Sequence, residues 1–208
     1  MDAFEVSCIP AVNSSYIMVA SKKSGIKSVE DIIEKAKAKP GKVIYGTEFG
    51  GYTHLQVLQF QKFADIKLKV VDTGSSSEKL TSLLRGDIAL ASIGYAAAAD
   101  YLATGELVAI AQYGETRNEN LGDIPTLKEK GIDLVDVIPY IMSFPKGTDP
   151  EIVQKLSDIA GQIAAMPEYA EGLLAGYKQN VEYMPTEEAR EYLGTVRERY
   201  MGFKELLG

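Results

Sequence analysis

Cysteine, histidine and tryptophan are nearly missing from this chain of 208 residues: there is one cysteine, Cys8, one histidine, His54, and no tryptophan. One cysteine excludes an internal disulfide and any cysteine-based zinc centre. One histidine removes every two-histidine metal motif, leaving only carboxylate or mixed sites. Basic charge is in deficit as well, with Lys+Arg 22 against Asp+Glu 29 and a net charge of −7. Such a surface repels phosphate backbones and offers no basic face to an anionic membrane, so nucleic acid is not an expected partner. No run approaches the ~20 apolar residues that span a bilayer; the longest weakly polar stretch, Ile88 to Ala99, is short and alanine-rich. The first residues, Met1-Asp2-Ala3-Phe4-Glu5, carry neither the basic nor the apolar region of a secretory leader. They fit a cytoplasmic protein or a chain whose leader has been removed. G-x-x-x-x-G-K, G-x-G-x-x-G and G-x-S-x-G are all absent, so no cofactor is implied and no nucleophile elbow is present.

What is there is an ordinary globular composition, 46% hydrophobic and 25% charged, in which short β-type runs alternate with amphipathic helical runs. That alternation predicts an α/β fold with a mainly parallel sheet. Strands are predicted at Tyr16–Ala20, Lys42–Thr47, Leu68–Val71, Ile88–Ser92 and Leu107–Gln112. Helices are predicted between them: one capped by Ser28 and ended by Pro40-Gly41, one carrying Leu55, Phe60 and Phe63, one with Leu80, Leu83 and Leu84 stopped by Gly86, and one over Tyr95–Thr104. The polar stretch Gly114–Asn120, followed by a short helix from Asp123 through Lys130, reads as a hinge region. Beyond it the pattern predicts a strand over Val137–Phe144, a helix over Glu151–Ala165, another from Pro167, and a strand near Asn180–Tyr183. A last helix follows, whose stripe of Tyr192, Val196, Tyr200, Phe203 and Leu207 reads as core.

In open α/β sheets ligands collect at the carboxyl ends of strands, against the free N–H groups of the following helix. Three junctions here have small or hydroxylated residues at that place: Gly46 to His54, Asp72 to Ser77, and Ser92 to Tyr95. Such turns admit close backbone approach and donate hydrogen bonds to an anion without a fixed cation. The candidate ligand-binding residues are Thr47, Gly50, Gly51, Tyr52, Thr53, Gly74, Ser75, Ser76 and Ser92. The plainer alternative is that these glycines and serines only make turns and caps. His54 reads as a capping or packing residue rather than a general base, Cys8 as buried and inert, and Glu187-Glu188 as a solvated first turn. Glu48 fits an anion site poorly unless it points away, pairs with a cation or meets an amino group on the guest.

The order of these segments resembles the second lobe of the receptors of tripartite tricarboxylate transporters, the Bug receptors. The resemblance is carried by Lys27-Ser28-Val29-Glu30-Asp31-Ile32-Ile33, Pro40 to Gly46, Gly51-Tyr52-Thr53-His54-Leu55, Gly74 with Leu83-Leu84-Arg85-Gly86-Asp87-Ile88, and Gly105 to Ala111. It continues through Arg117, Asp123 to Leu127, Gly131 and Pro145-Lys146-Gly147-Thr148, and covers nearly the whole chain. It implies a type II periplasmic-binding-protein fold, with a small carboxylate or amino-acid-like solute held between two α/β lobes joined by a hinge. In the family, the loop corresponding to Thr47–Thr53 and the turn at Gly74-Ser75 reach the ligand carboxylate, and the solute passes to a membrane permease without chemistry. On this resemblance residues 15–130 are the complete second lobe, and residues 1–14 with 131–208 are a remnant of an incomplete first lobe, which predicts exposed apolar surface. It also implies a periplasmic or extracellular, membrane-associated location. Two other classes use similar parts: a cytoplasmic small-molecule-sensing domain of a transcription regulator, and an enzyme built around His54 and Ser75.

Overall fold

The computed structural model describes residues 3–207. Its elements run β1 (Phe4–Asn13), β2 (Tyr16–Ser21), α1 (Val29–Ala38), β3 (Ile44–Thr47), α2 (Tyr52–Ala64), β4 (Lys69–Asp72), α3 (Ser76–Arg85), β5 (Leu90–Gly94), α4 (Tyr95–Ala103), β6 (Leu107–Gln112), β7 (Ile138–Pro145), α5 (Pro150–Ala164), α6 (Pro167–Tyr177) and α7 (Thr186–Met201). Met1, Asp2, Gly208 and the Leu207 side chain, which the sequence places in the last helical stripe, lie outside the described residues. The chain forms two units, one built from the leading strand through Asn13 with Val137–Glu205, the other from Ser14–Asp136 with Leu206.

In the larger unit the five strands are ordered β4-β3-β5-β2-β6. β3 is parallel to β4 and β5, whereas β2 runs antiparallel to both β5 and β6. The expected parallel sheet is therefore mixed, with four strands in one direction and β2 reversed among them. Ile17, Met18, Val19 and Ala20 of β2 are fully buried and alternate between the two faces. Met18 and Ala20 join α1 and α2 through Val29, Ile32, Val57 and Phe60; Ile17 and Val19 join α3 and α4 through Leu83 and Ala98. Covering both faces explains why β2 reads as an unbroken apolar run. Each buried Ile, Val, Leu, Met or Phe side chain among them contributes about 1.5–3 kcal/mol through burial.

The helices begin where the sequence supplies caps. The Ser28 hydroxyl accepts from the Asp31 N–H at 3.1 Å, and Ser75 with Glu78 forms a reciprocal capping box at the start of α3. Leu55 and Phe60 of α2 are buried as expected, together with Val57, but Phe63 is 38% exposed and the polar Thr53, Gln56 and Gln59 are buried too. The polar stretch after β6 is tied down rather than loose. The Gln112 side chain accepts from Asn118 N–H at 2.8 Å and donates to the Ile124 carbonyl at 2.8 Å. The short helix expected from Asp123 is a single 3-10 turn at Lys128–Lys130.

The smaller unit pairs β1 with β7 antiparallel, with irregularities on either side of Cys8. Cys8 is fully buried, and burial pushes its thiol up. α5 and α7 pack on β1. The strand expected near Asn180–Tyr183 is instead one bridge, Ile9 to Met184, closed by two hydrogen bonds of 3.0 and 2.9 Å. The core face of α7 also differs from expectation: Ala189 and Leu193 are buried with Val6, Ile9 and Val12, while Tyr192 only packs against them. Apolar surface remains exposed on this unit at Ile152, Ile159 and Ile163 of α5 and at Leu174 and Tyr177 of α6, a helix without one buried residue.

Candidate functional site

Because β3 and β4 are parallel and paired Thr47 to Asp72, their carboxyl ends finish side by side and their two turns adjoin. The Thr73 N–H donates to the Thr47 carbonyl at 2.7 Å and joins them. Asp72 strengthens the junction: one carboxylate oxygen accepts from Phe49 N–H at 3.4 Å and from Gly74 N–H at 3.2 Å.

The first turn runs from Glu48 to Gly51. Gly50 has φ +75°, a left-handed conformation that a Cβ disfavours, and Gly51 closes the turn by donating to the Glu48 carbonyl at 3.0 Å. Gly51 is also the N-cap of α2, and it brings no capping side chain. His54 folds back on the turn. Its Nδ1 accepts from Gly50 N–H at 3.3 Å and its ring stacks on Phe49, centroids 4.7 Å apart, which is the capping and packing role read from the sequence. The second turn reaches α3 through Gly74, φ +73°. The Ser75 hydroxyl and N–H both donate to the Glu78 carboxylate, at 2.7 and 2.8 Å. Those bonds hold the Glu78 carboxyl below its ordinary value.

Beneath this rim lies a buried polar layer. Thr47 and Thr53 are 0% and 6% exposed and their hydroxyls share a 2.8 Å hydrogen bond. Lys79, a residue only 2% exposed, donates from its ammonium to Thr53 Oγ1 at 3.3 Å. Burial pushes the Lys79 amine down, and the negative charge of Glu48 partly offsets that. Gln56 is fully buried, and neither its Oε1 nor its Nε2 has a hydrogen-bond partner among the described residues.

Thus the structure brings Thr47, Gly50, Gly51, Tyr52, Thr53, Gly74, Ser75 and Ser76 to one edge of one sheet. Ser92 stands apart. Its fully buried hydroxyl bonds Tyr45 at 2.7 Å and Tyr113, inside the core. The third junction is closed by Tyr95 N–H donating to the Ser15 carbonyl at 2.9 Å. Sequence reasoning missed Lys79, Gln56 and the linking role of Asp72. Spacing carried a signal for the first, since Lys79 lies four residues before Leu83 and these two are the buried residues of α3.

The family described as tripartite tricarboxylate transporter family receptor matches residues 5–199. A Cupriavidus necator protein, named UPF0065 protein in gbd 5'region, is 32% identical over 195 residues, covering 93% of this chain and 59% of the relative. The chain therefore spans about three fifths of that relative's length. Among solved structures, Rpa4515 of R. palustris with adipate superposes with a TM-score of 0.85 at 20% identity, over 99% of this chain and 69% of that one. MatC from Rhodopseudomonas palustris with bound malate gives 0.79 at 17% identity, over 99% and 70%. The sheet order, the two units and the match across nearly all of the sequence agree, and the chain belongs to the tripartite tricarboxylate transporter receptor family, with its type II periplasmic-binding-protein fold.

Proposed function

We propose that this chain is the solute-capturing part of an extracytoplasmic receptor that takes a small carboxylate or amino-acid-like acid and delivers it to a tripartite membrane permease. It catalyses no reaction and needs no cofactor. The observation that carries this reading is the pair of joined glycine turns at the carboxyl ends of β3 and β4, placed over a buried layer of hydroxyls and one ammonium. In this reading the backbone at Gly50–Thr53 and Gly74–Ser76 is the ligand-facing edge, and glycines there admit close approach. A carboxylate would take the N–H groups of Gly50, Gly51, Gly74 and Ser75 in competition with their acceptors within the turns, and the positive end of α2 favours it. Adipate and malate, held by the two R. palustris proteins, set the class of guest to try first. In this reading residues 15–130 form the receptor's second lobe and residues 1–14 with 131–208 belong to its first, and the protein works in the periplasm or on the outer face of the membrane.

Thermal unfolding with malate, adipate, succinate and α-amino acids tests the reading. A guest at one hundred times its Kd adds about 2.7 kcal/mol, on the order of 5–10 °C for a chain of this size. A shift of that size with a carboxylic acid is expected; identical melting across the panel overturns the proposal.

A further inference from the structure

We infer that Lys79 is the positioning residue that makes this edge select its guest as a carboxylate anion rather than as a neutral isostere, acting through the Thr53 hydroxyl; the inference rests on the receptor reading above.

Lys79 is 2% exposed as a residue, and a buried ammonium is in an unfavourable place. Packing does not account for it, because an apolar side chain of similar volume is commonly as stable or more so in such a position. Among the described residues no carboxylate forms an ion pair with it, and its hydrogen-bond partner is Thr53 Oγ1. An ammonium only donates, so the Thr53 oxygen must accept, which fixes the orientation of a hydroxyl in the first turn of α2. α2 packs on one face of the sheet and α3 on the other. Lys79 therefore reaches across the carboxyl edge, under the two turns that form the rim.

Two neighbours bear on its role. Gln56, one turn along α2 from Thr53, is fully buried with both amide atoms unpartnered among the described residues, so the layer keeps hydrogen-bonding capacity that the fold does not consume. Glu48, exposed in the first turn, is the carboxylate whose charge reaches Lys79. Its stem lies against Gly51, since a Cβ built there would sit 3.4 Å from Glu48 Cγ. A guest carboxylate arriving at the rim meets the field of Lys79 with favour and those of Glu48, Asp72 and Glu78 with opposition. Lys79 and these carboxylates set charge preference in opposite senses, and Glu48 is the one whose carboxylate makes no hydrogen bond to the turns among the described residues.

The test is calorimetric titration of malate and adipate, and of their diamides, into the full chain and into Lys79→Met, Lys79→Arg and Glu48→Gln. The unaltered chain should prefer the acids by at least tenfold. In Lys79→Met the acids should weaken about tenfold while diamide affinity stays within twofold; Lys79→Arg should restore most of the preference, and Glu48→Gln should strengthen the acids about threefold. If Lys79→Met does not fold, Lys79→Gln carries the same comparison. Acid affinity unchanged in the Met or Gln variant overturns the inference, as does a parallel loss of acid and amide, which marks a purely structural lysine. An unaltered chain that binds neither acid overturns the receptor reading and this inference with it.

Discussion

Ser92→Ala separates a core role for this serine from the ligand role its position in the sequence predicts. Tyr45, Ser92 and Tyr113 are all buried; the Tyr45 hydroxyl lies 2.7 Å from Ser92 and 3.3 Å from Tyr113, and Ser92 also bonds Tyr113. Three hydroxyls in mutual reach can each donate once and accept once. Removing the middle one leaves a single long Tyr45–Tyr113 bond and one phenol proton without an acceptor, at a cost of about 1–3 kcal/mol. At roughly 2–4 °C per kcal/mol for a chain of this length, a 2 kcal/mol loss lowers Tm by about 4–8 °C. Replacing all three groups, with Tyr45→Phe and Tyr113→Phe added, leaves nothing polar to satisfy and should recover most of the loss. The assay is thermal unfolding of the single and triple variants, with affinity for any acid that the chain binds measured beside it. A Ser92→Ala chain that melts as the parent does, or a triple variant less stable than the single one, refutes the hydroxyl cycle. A fall in affinity without loss of stability returns Ser92 to the ligand.

The same two phenols give an alkaline limb. Burial raises Tyr45 and raises Tyr113 further, so the folded chain keeps protons that the unfolded chain releases near pH 10; their contribution is full below about pH 10 and declines above it, and phenolate absorbance should rise together with loss of ellipticity. At the acid end, a hydrogen bond from Lys146, then one from Gly147 N–H, holds the Glu5 carboxyl below its ordinary range. That contribution is present above the ordinary carboxylate value and is lost as pH falls through the depressed one, so Lys146→Met should flatten the acid limb of the melting profile. Gly74→Val should destabilise the fold, because φ is +73° and a Cβ would lie 2.5 Å from a Glu78 carboxylate oxygen. Gly51→Val, at φ −84°, should keep the far-UV spectrum and lose the solute; retained affinity there removes the assigned edge. Ser75→Ala, which breaks the capping box, should cost about 1 kcal/mol in denaturant unfolding.

Local chemistry made most of the elements legible. Ser28, the Gly86 stop and the Pro150 start are signals that act within a turn of the residue that carries them, and the helices begin and end there. What local pattern does not carry is direction: Ile17 to Ala20 would be as apolar parallel as antiparallel, so the reversal of β2 could not be read. The Met184 bridge was similarly hidden, because it depends on a partner far away in the chain, Ile9. At the candidate edge the turns were visible, since glycine at positive φ has a sequence signature. The layer below them was not. Lys79 and Gln56 have polar side chains that pattern reading sends to solvent, and their burial depends on tertiary packing, which for Lys79 brings it to Thr53 of α2.

The shared acceptor at Asp72 has a consequence for how the edge would respond to a guest. With Phe49 and Gly74 hydrogen-bonded to one oxygen and the Thr73–Thr47 bond beside it, the two loops cannot rearrange separately without breaking that staple. Their ordering entropy is lost during folding and need not be lost again on association. For a solute taken at this edge, Asp72 would thus be a preorganising group, lowering the ordering cost of binding without touching the solute itself.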